Sequence, residues 1–387
     1  MRKARKGKNM KQMKKNIIAS IALASVAFGL AACGDDSSSG ASSEEEVNVS
    51  LAGAIFTNDA TFTTGELRWI DKEGNISDKG LSFHQDSKVI THRADLYVLE
   101  AIQADNITLI DPEKLESDGK KAVVWQVSMD EFSNPIDLAF DGDEAWVALQ
   151  AADSLVKIST EDGKVVKSIK TGKFAYKGEL SPYVADIEVD DGNLYVLIQR
   201  YTMDAETWAT TYPKGLLAVY DASTGDLKDT IQLKTKNPKA LAVVDGEVYV
   251  ATHGEYNAAN GTDADDKRGI EKVNVSKKKS ELYISGKDLG GGVASIAVED
   301  GVIYAAINLG YDAAWNALME VRKVDLSSKK VEKIKGISDA SGSMVVKDGK
   351  LYVGDRTASE VIVWDGKKKS SLKQPKDVLL PYSIALF

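Results

Sequence analysis

One pattern recurs six times between residues 88 and 353, and it constrains the fold more than any other feature of the chain. Each copy contains a short apolar segment, a turn, and a second apolar segment that is centred on an aromatic residue. Clear copies pair residues 136–140 with 145–147, and residues 240–243 with 248–250. Corresponding apolar positions of the two segments lie seven residues apart in every copy, which indicates one structural unit used repeatedly.

Asp-Gly pairs lie in the turns of five copies and favour tight β-hairpins, because such turns need residues that tolerate a positive φ. They are Asp141-Gly142, Asp191-Gly192, Asp245-Gly246, Asp300-Gly301 and Asp348-Gly349. A second hairpin follows the first, so we expect four antiparallel strands in each unit. Units of this kind, repeating roughly every 40–55 residues, are typical of a β-propeller.

The number of blades follows from where the units begin and from how the chain ends. Six complete units begin near residues 88, 137, 186, 240, 295 and 343, and residues 381–387 match the first strand of a seventh. Residues 47–56, 66–71 and 81–86 are predicted to supply its other three strands, because closing the ring removes exposed strand edges. We therefore predict an all-β, seven-bladed β-propeller over residues 47–387, with a one-plus-three closing blade.

The first 32 residues have the organisation of a secretory signal peptide. Eight Lys or Arg and no acid are found there, and an apolar stretch at 17–30 is shorter than the roughly 20 residues of a membrane-spanning helix. Leu30-Ala31-Ala32-Cys33 resembles the lipobox of bacterial lipoproteins, and Cys33 is the only Cys of the chain. The resemblance implies that Cys33 is diacylated, becomes the mature N-terminus and anchors the protein to a membrane. An ordinary cleaved signal is the alternative.

Residues 33–46 have no aromatic or branched apolar side chain, so we predict a disordered tether. Gly34 stands where an Asp often retains lipoproteins at the inner membrane, and the resemblance therefore implies the outer membrane, facing the periplasm or the cell surface. Without residues 1–32 the chain has 41 basic and 58 acidic residues, a net charge of −17. Such a surface repels phosphate backbones, which argues against nucleic-acid binding.

The Leu/Val-Tyr-Val triplets and the Asp-Gly turns resemble YVTN-type seven-bladed propellers, a bacterial group that includes cell-surface and periplasmic proteins. The resemblance extends over about 340 residues. It implies the fold and leaves the function open, since propellers include hydrolases, lyases, cofactor enzymes and binding proteins. An aromatic residue at one equivalent position in all six units is expected to pack between blades. These residues are Tyr97, Trp146, Tyr195, Tyr249, Tyr304 and Tyr352.

Polar residues begin six of the seven innermost strands, where the blades meet the central channel. They are Lys88, Asp137, Asp186, Ser295, Ser343 and Ser383, and Ala240 is the exception. Two interpretations stay open: these side chains face water in the channel, or Asp137, Asp186 and Lys88 form a shallow site. The second strands end in a further polar set, which is expected to surround the same face. It consists of Gln150, Gln199, His253, Asn308 and Arg356.

Four long connections, at residues 172–183, 201–214, 254–268 and 309–318, are predicted to emerge on one face. Long loops on a rigid scaffold commonly carry function, and aromatic side chains there can bind a ligand or a partner protein. The candidate binding residues are Phe174, Tyr176, Tyr201, Trp208, Tyr212, Tyr256, Tyr311 and Trp315, with Tyr183 beside them. The alternative is that these aromatic residues pack as lids over the blade ends.

No cofactor is predicted, although oxygen-bearing side chains in 254–268 suit Ca²⁺ as an alternative. Their spacing does not match the EF-hand loop, and no catalytic motif is present. The leading hypothesis is a lipoprotein that binds a small molecule or an envelope protein. The rival is a lactonase-like hydrolase or a lyase that uses the acids and His253 around the channel, and a structural hub in an envelope complex is a third hypothesis.

Overall fold

Antiparallel hairpins make up nearly all regular structure in the computed structural model, which describes residues 49–117, 119–204, 206, 210–255, 267–312 and 317–387. The strands form seven four-stranded sheets arranged as the blades of a β-propeller, which confirms the predicted fold class. The predicted signal peptide, Cys33 and the tether lie outside the described residues. Among the residues described, no helix is long and apolar enough to cross a membrane.

We number six blades along the chain and call the seventh the closing blade. The closing blade contains β1 (Leu51–Asn58), β2 (Gly65–Asp71), β3 (Leu81–Phe83) and, as its innermost strand, β30 (Leu380–Leu386). Blade 1 contains β4 (Ser87–His92), β5 (Asp95–Glu100), β6 (Asn106–Ile110) and β7 (Val123–Ser128). Blade 2 contains β8 (Pro135–Asp141), β9 (Glu144–Leu149), β10 (Ser154–Ser159) and β11 (Val165–Lys170).

Blade 3 contains β12 (Val184–Asp190), β13 (Asn193–Ile198), β16 (Lys214–Asp221) and β17 (Leu227–Lys236), and carries the small hairpin β14 (Thr202–Met203) and β15 (Thr210–Thr211). Blade 4 contains β18 (Pro238–Val244), β19 (Glu247–Thr252), β20 (Gly269–Asn274) and β21 (Lys279–Ser285). Blade 5 contains β22 (Gly292–Glu299), β23 (Val302–Tyr311), β24 (Ala317–Asp325) and β25 (Val331–Lys333). Blade 6 contains β26 (Met344–Lys347), β27 (Lys350–Asp355), β28 (Glu360–Trp364) and β29 (Lys369–Ser371).

Short helices occur only between strands in the part of the chain that the structure describes. They are the single-turn helices α1 (Gly119–Ala122) and α2 (Gly286–Leu289) and the 3-10 helices Pro112–Lys114 and Gly172–Phe174. Four of the five Asp-Gly pairs have a positive φ at both residues, whereas in blade 2 Asp141 ends β8 and the loop is formed by Gly142 and Asp143. In blade 4, for example, Asp245 and Gly246 have φ values of 50° and 73° and form a two-residue loop between β18 and β19. Only residues that tolerate a positive φ fit such a turn without strain.

The apolar core is divided among the blade interfaces. Seven clusters of buried apolar side chains are present among the described residues, and each joins two neighbouring blades. The aromatic residues predicted to pack between blades lie in these clusters at one common register. Trp146, for example, is fully buried, and its indole N–H donates to the carbonyl of Ala222 in blade 3 at 2.8 Å. Tyr352 is half-buried, whereas the other five are buried.

The ring closes as predicted, because the last strand pairs with the first strand described. β30 is antiparallel to β1, with Ile384 opposite Ile55. Arg356 of blade 6 also holds this seam: its guanidinium donates to Asn58 Oδ1 at 2.7 Å and to the carbonyl of Pro381 at 3.2 Å. Pairing between the two ends of the chain satisfies strand edges that would otherwise be exposed.

Candidate functional site

The two ends of the propeller differ in their connections. We call the lower face the one with the tight turns between first and second strands, and the upper face the one where first strands begin and second strands end. The antiparallel order places all four long connections on the upper face, in or next to blades 3, 4 and 5. In blade 5 the hairpin continues upward, since Tyr311 still pairs with Ala317. The described residues do not include Trp208, Trp315 or the range 256–266, which contains Tyr256.

Three tyrosines form an aromatic cluster on the upper face of blade 3. The rings of Tyr183 and Tyr201 are stacked, with centroids 3.9 Å apart, and the Tyr212 ring lies 5.3 Å from that of Tyr201. The Tyr183 hydroxyl donates to Glu179 Oε2 at 3.3 Å. Burial raises the pKa of the Tyr201 hydroxyl well above its usual range. These side chains are therefore neutral, so an apolar or aromatic ligand group would meet no charge on them.

This cluster extends towards the two following blades. Burial raises the pKa of Tyr212, and the neighbouring Tyr311 of blade 5 and Glu255 of blade 4 raise it further. The backbone conformation of Tyr183 is unusual as well, because its φ is 59°, which bulky residues rarely adopt. The Gln199 N–H donates to the Tyr183 carbonyl at 2.9 Å and holds that conformation. Described residues from the connections of blades 3, 4 and 5, namely Tyr212, Glu255 and Tyr311, thus lie near one another.

Not all predicted binding aromatics are accessible. Phe174 is 9% exposed and packs into the core between blades 2 and 3, and Tyr212 is 2% exposed, so both act as lids in this structure. Tyr176, Tyr201 and Tyr311 are half-buried and present part of their rings to solvent. Tyr176 already has cations next to its ring, with Lys177 Nζ 5.0 Å and the Arg200 guanidinium 5.8 Å from its centroid.

Sequence reasoning missed three exposed leucines on the same face. Leu180 is 80% exposed, Leu309 is 45% exposed and Leu318 is 47% exposed. Leu180 precedes blade 3, whereas Leu309 and Leu318 end the extended hairpin of blade 5. Contiguous exposed apolar side chains are typical of an interaction surface, and Leu309 and Leu318 lie on paired strands near the tip of one hairpin. The available signal was a leucine within two of the four long connections, those at residues 172–183 and 309–318.

The polar residues at the ends of second strands do not form one site. Gln199 is buried, and its amide donates to Asn237 Oδ1 at 3.1 Å. The Asn308 amide contacts the Tyr311 hydroxyl at 3.2 Å, whereas Arg356 is at the closing seam. His253 is 2% exposed, and burial, followed by the charges of Lys239 and Arg268, lowers its pKa to about 3. These residues support the upper face from beneath.

Five of the six innermost polar positions are buried and Lys88 is half-buried, so Asp137 and Asp186 do not fit the interpretation in which these side chains face water in the channel. Asp137 is 6% exposed and Asp186 is 1% exposed. Each side chain bonds to the backbone of the following blade: Asp137 Oδ2 accepts the Ile187 N–H at 3.2 Å, and Asp186 Oδ2 accepts the Leu241 N–H at 2.7 Å. The sequence could not show this, because the arrangement of neighbouring blades is a tertiary feature.

Two serines make the same contact elsewhere in the ring. Ser343 Oγ accepts the Ile384 N–H at 2.6 Å, and Ser383 Oγ accepts the Val89 N–H at 3.1 Å. In every case the N–H belongs to the residue after the equivalent position in the next blade. We call Asp137, Asp186, Ser343 and Ser383 the inner-ring acceptors. They join blades 2 to 3, 3 to 4, 6 to the closing blade, and the closing blade to blade 1.

Metal binding finds no support in the part of the chain that the structure describes, where no group of three or more His, Cys, Asp or Glu is placed to hold an ion. The residues that suggested Ca²⁺, namely Asn257, Asn260, Asp263, Asp265 and Asp266, lie outside the described residues. The Ca²⁺ alternative therefore stays a prediction.

Solved structures with the same architecture include proteins of very different kinds. Hydrazine synthase of Kuenenia stuttgartiensis is 13% identical, with a TM-score of 0.55 over 84% of this chain and 99% of that chain. The WD40 domain of Pan2 from Neurospora crassa is 11% identical, with a TM-score of 0.52 over 76% of this chain and 81% of that chain. No family model and no curated protein matches the sequence. The chain is thus a seven-bladed β-propeller with an elaborated upper face.

Proposed function

We propose that this protein is a lipid-anchored binding module of the bacterial envelope, and that it captures a small molecule or an envelope protein on its upper face. One observation carries the proposal: the long connections, the tyrosine cluster and three exposed leucines all occur on one face in or next to three consecutive blades. Rigid scaffolds that present elaborated loops on one side commonly bind there. The lipobox-like sequence before Cys33 supports the anchor.

The binding proposal is tested with two variants of the full chain. The first is L180S/L309S/L318S, and the second is W208A/Y256A/W315A. Wild type and variants are crosslinked in intact cells, purified, and analysed by mass spectrometry for bound proteins and small molecules. We expect both variants to lose what wild type captures while their melting temperatures stay unchanged.

A matched control uses valines on the outer strand of blade 2. Val165 and Val166 are 52% and 51% exposed, so V165S/V166S removes exposed apolar side chains far from the upper face. This control should capture as wild type does. If the upper-face variants capture the same molecules at the same level as the control, the proposed binding face is wrong.

The anchor is tested separately with Cys33→Ser. We expect wild type to incorporate a labelled fatty acid and to sediment with membranes, and the variant to do neither. Two acyl chains hold a protein to a bilayer durably, since each buried CH₂ contributes about 0.8 kcal/mol. An unlabelled wild-type protein would instead support an ordinary cleaved signal.

The enzyme alternative stays a prediction without structural support. A hydrolase or lyase that uses Asp137, Asp186 or His253 needs substrate to reach them, and these residues are 6%, 1% and 2% exposed.

A further inference from the structure

Two carboxyl groups meet in the inner ring where blades 2, 3 and 4 join. The side chains of Asp137 on β8 and Asp186 on β12 lie close together, because one backbone N–H reaches both of them. The Ile187 N–H points between them, at 3.2 Å from Asp137 Oδ2 and 3.1 Å from Asp186 Oδ1. With the bond from the Leu241 N–H to Asp186, this pair connects the backbones of three blades.

Both carboxyl groups are buried and share a single N–H donor, and a proton on one of them would let it donate to the other. Two buried negative charges in contact would also repel each other strongly in a medium of low dielectric constant. The pair therefore binds one proton in this arrangement. The Ile187 and Leu241 N–H groups can stabilise the single negative charge that is left.

Further charged groups lie on the same or neighbouring strands, and of these Lys88 acts on the pair. Lys88 on β4 lowers the pKa of Asp137, but burial and the charge of Asp186 raise it by more, so the pKa lies well above its usual value. Lys88 also acts on Asp86, whose pKa burial raises. Glu188 on β12 accepts the Val243 N–H at 3.0 Å, and Lys239 on β18 is buried near the start of that strand.

We propose that Asp137 and Asp186 form a proton-dependent lock: while they share one proton they hold blades 2, 3 and 4 together, and losing that proton weakens the joint. The lock lies at the start of the innermost strands, directly beneath the upper face that blades 3 and 4 help to build. The proposal does not depend on what the upper face binds.

The direction of the pH effect follows from proton binding. An Asp in the unfolded chain has a pKa of about 3.9, whereas the native pair keeps its proton to higher pH. Between the pKa of the unfolded chain and the pKa of the native pair, the native state therefore binds one proton more than the unfolded chain. Stability from the lock is complete below pH 4 and is lost as the pH rises through the native pKa.

The test compares urea unfolding of the full chain from pH 5 to pH 9 in wild type and in D137N. The Asn amide donates to Asp186 and accepts the Ile187 N–H without a titratable proton. Between the pKa of the unfolded chain and that of the native pair, we expect the unfolding constant of wild type to rise about tenfold per pH unit relative to that of D137N. This is the pH dependence expected when unfolding releases one proton. The same slope in both proteins would overturn the proposal.

S343A is the matched control, because Ser343 makes the equivalent contact with a group that does not titrate. Its effect on the unfolding constant should be the same at every pH. A second measurement does not need a folded variant: infrared spectroscopy of wild type at neutral pH should show the carbonyl stretch of a protonated carboxylic acid. Absence of that band from folded wild type would also overturn the proposal.

Discussion

The inner ring joins its blades with carboxylates on one side and with hydroxyls on the other. Asp137 and Asp186 accept backbone N–H groups at the junctions of blades 2, 3 and 4, and Ser343 and Ser383 do so around the closing blade. A neutral hydroxyl is thus sufficient for the contact itself. The carboxyl groups add a dependence on protonation, and they occur next to the blades with the long upper connections.

The largest effect should come from Asp186→Ala. It removes the acceptor of the Leu241 N–H and the partner of Asp137 at once, leaving buried polar groups without a partner. We expect a loss of about 3 kcal/mol in the free energy of unfolding, measured in urea at pH 6. Asp186→Asn keeps an acceptor and a hydrogen-bond partner, so it should lose much less. Equal losses in both would contradict the role given to these bonds.

Arg356→Ala tests the closing seam on the hydroxyl side of the ring. The guanidinium donates to Asn58 and Pro381 and lies 5.3 Å from the centroid of the Phe62 ring and 5.7 Å from that of Tyr382. We expect a loss of about 2 kcal/mol, from the charged hydrogen bonds and the cation–π contacts together. Arg356→Lys should recover part of it, because an ammonium group cannot reach both acceptors and lie flat on a ring. Full recovery by Lys would show that charge alone matters.

Ser383→Ala isolates a single hydroxyl contact. It leaves the Val89 N–H buried without its acceptor, and we expect a loss of about 1 kcal/mol in thermal or urea unfolding. The loss should be equal from pH 5 to pH 9, since no titratable group is removed. A loss that grew with pH would remove the distinction between hydroxyl and carboxylate junctions.

The smallest effect should come from Asp143→Asn at the lower face. Asp143 pairs with Arg93 at 3.4 Å between blades 1 and 2, but the two side chains are 93% and 58% exposed. Exposed ion pairs contribute about 0.5 kcal/mol or less, so the unfolding midpoint should hardly change. A loss comparable to that of Ser383→Ala would mean that junction contacts at the surface matter as much as buried ones.

The blade count and the closing strand could be predicted because each depends on local patterns that the chain repeats. Asp245-Gly246 fixes a hairpin within a few residues, and the match of residues 381–387 to earlier first strands predicts the closure. The role of Asp137 could not be predicted, since its partner Ile187 is 50 residues away and on another blade. The exposure of Leu180 could not be predicted either, because it depends on how the surrounding connection packs.

Both ends of the described chain are at the lower face. β1 begins there and β30 finishes there, and the Ser50 N–H donates to Glu113 Oε1 at 2.7 Å, beside the 3-10 helix that follows β6. An attachment at either terminus therefore orients the molecule. A protein immobilised through its N-terminal segment or through a tag after Phe387 is attached at the face opposite the tyrosine cluster and the exposed leucines.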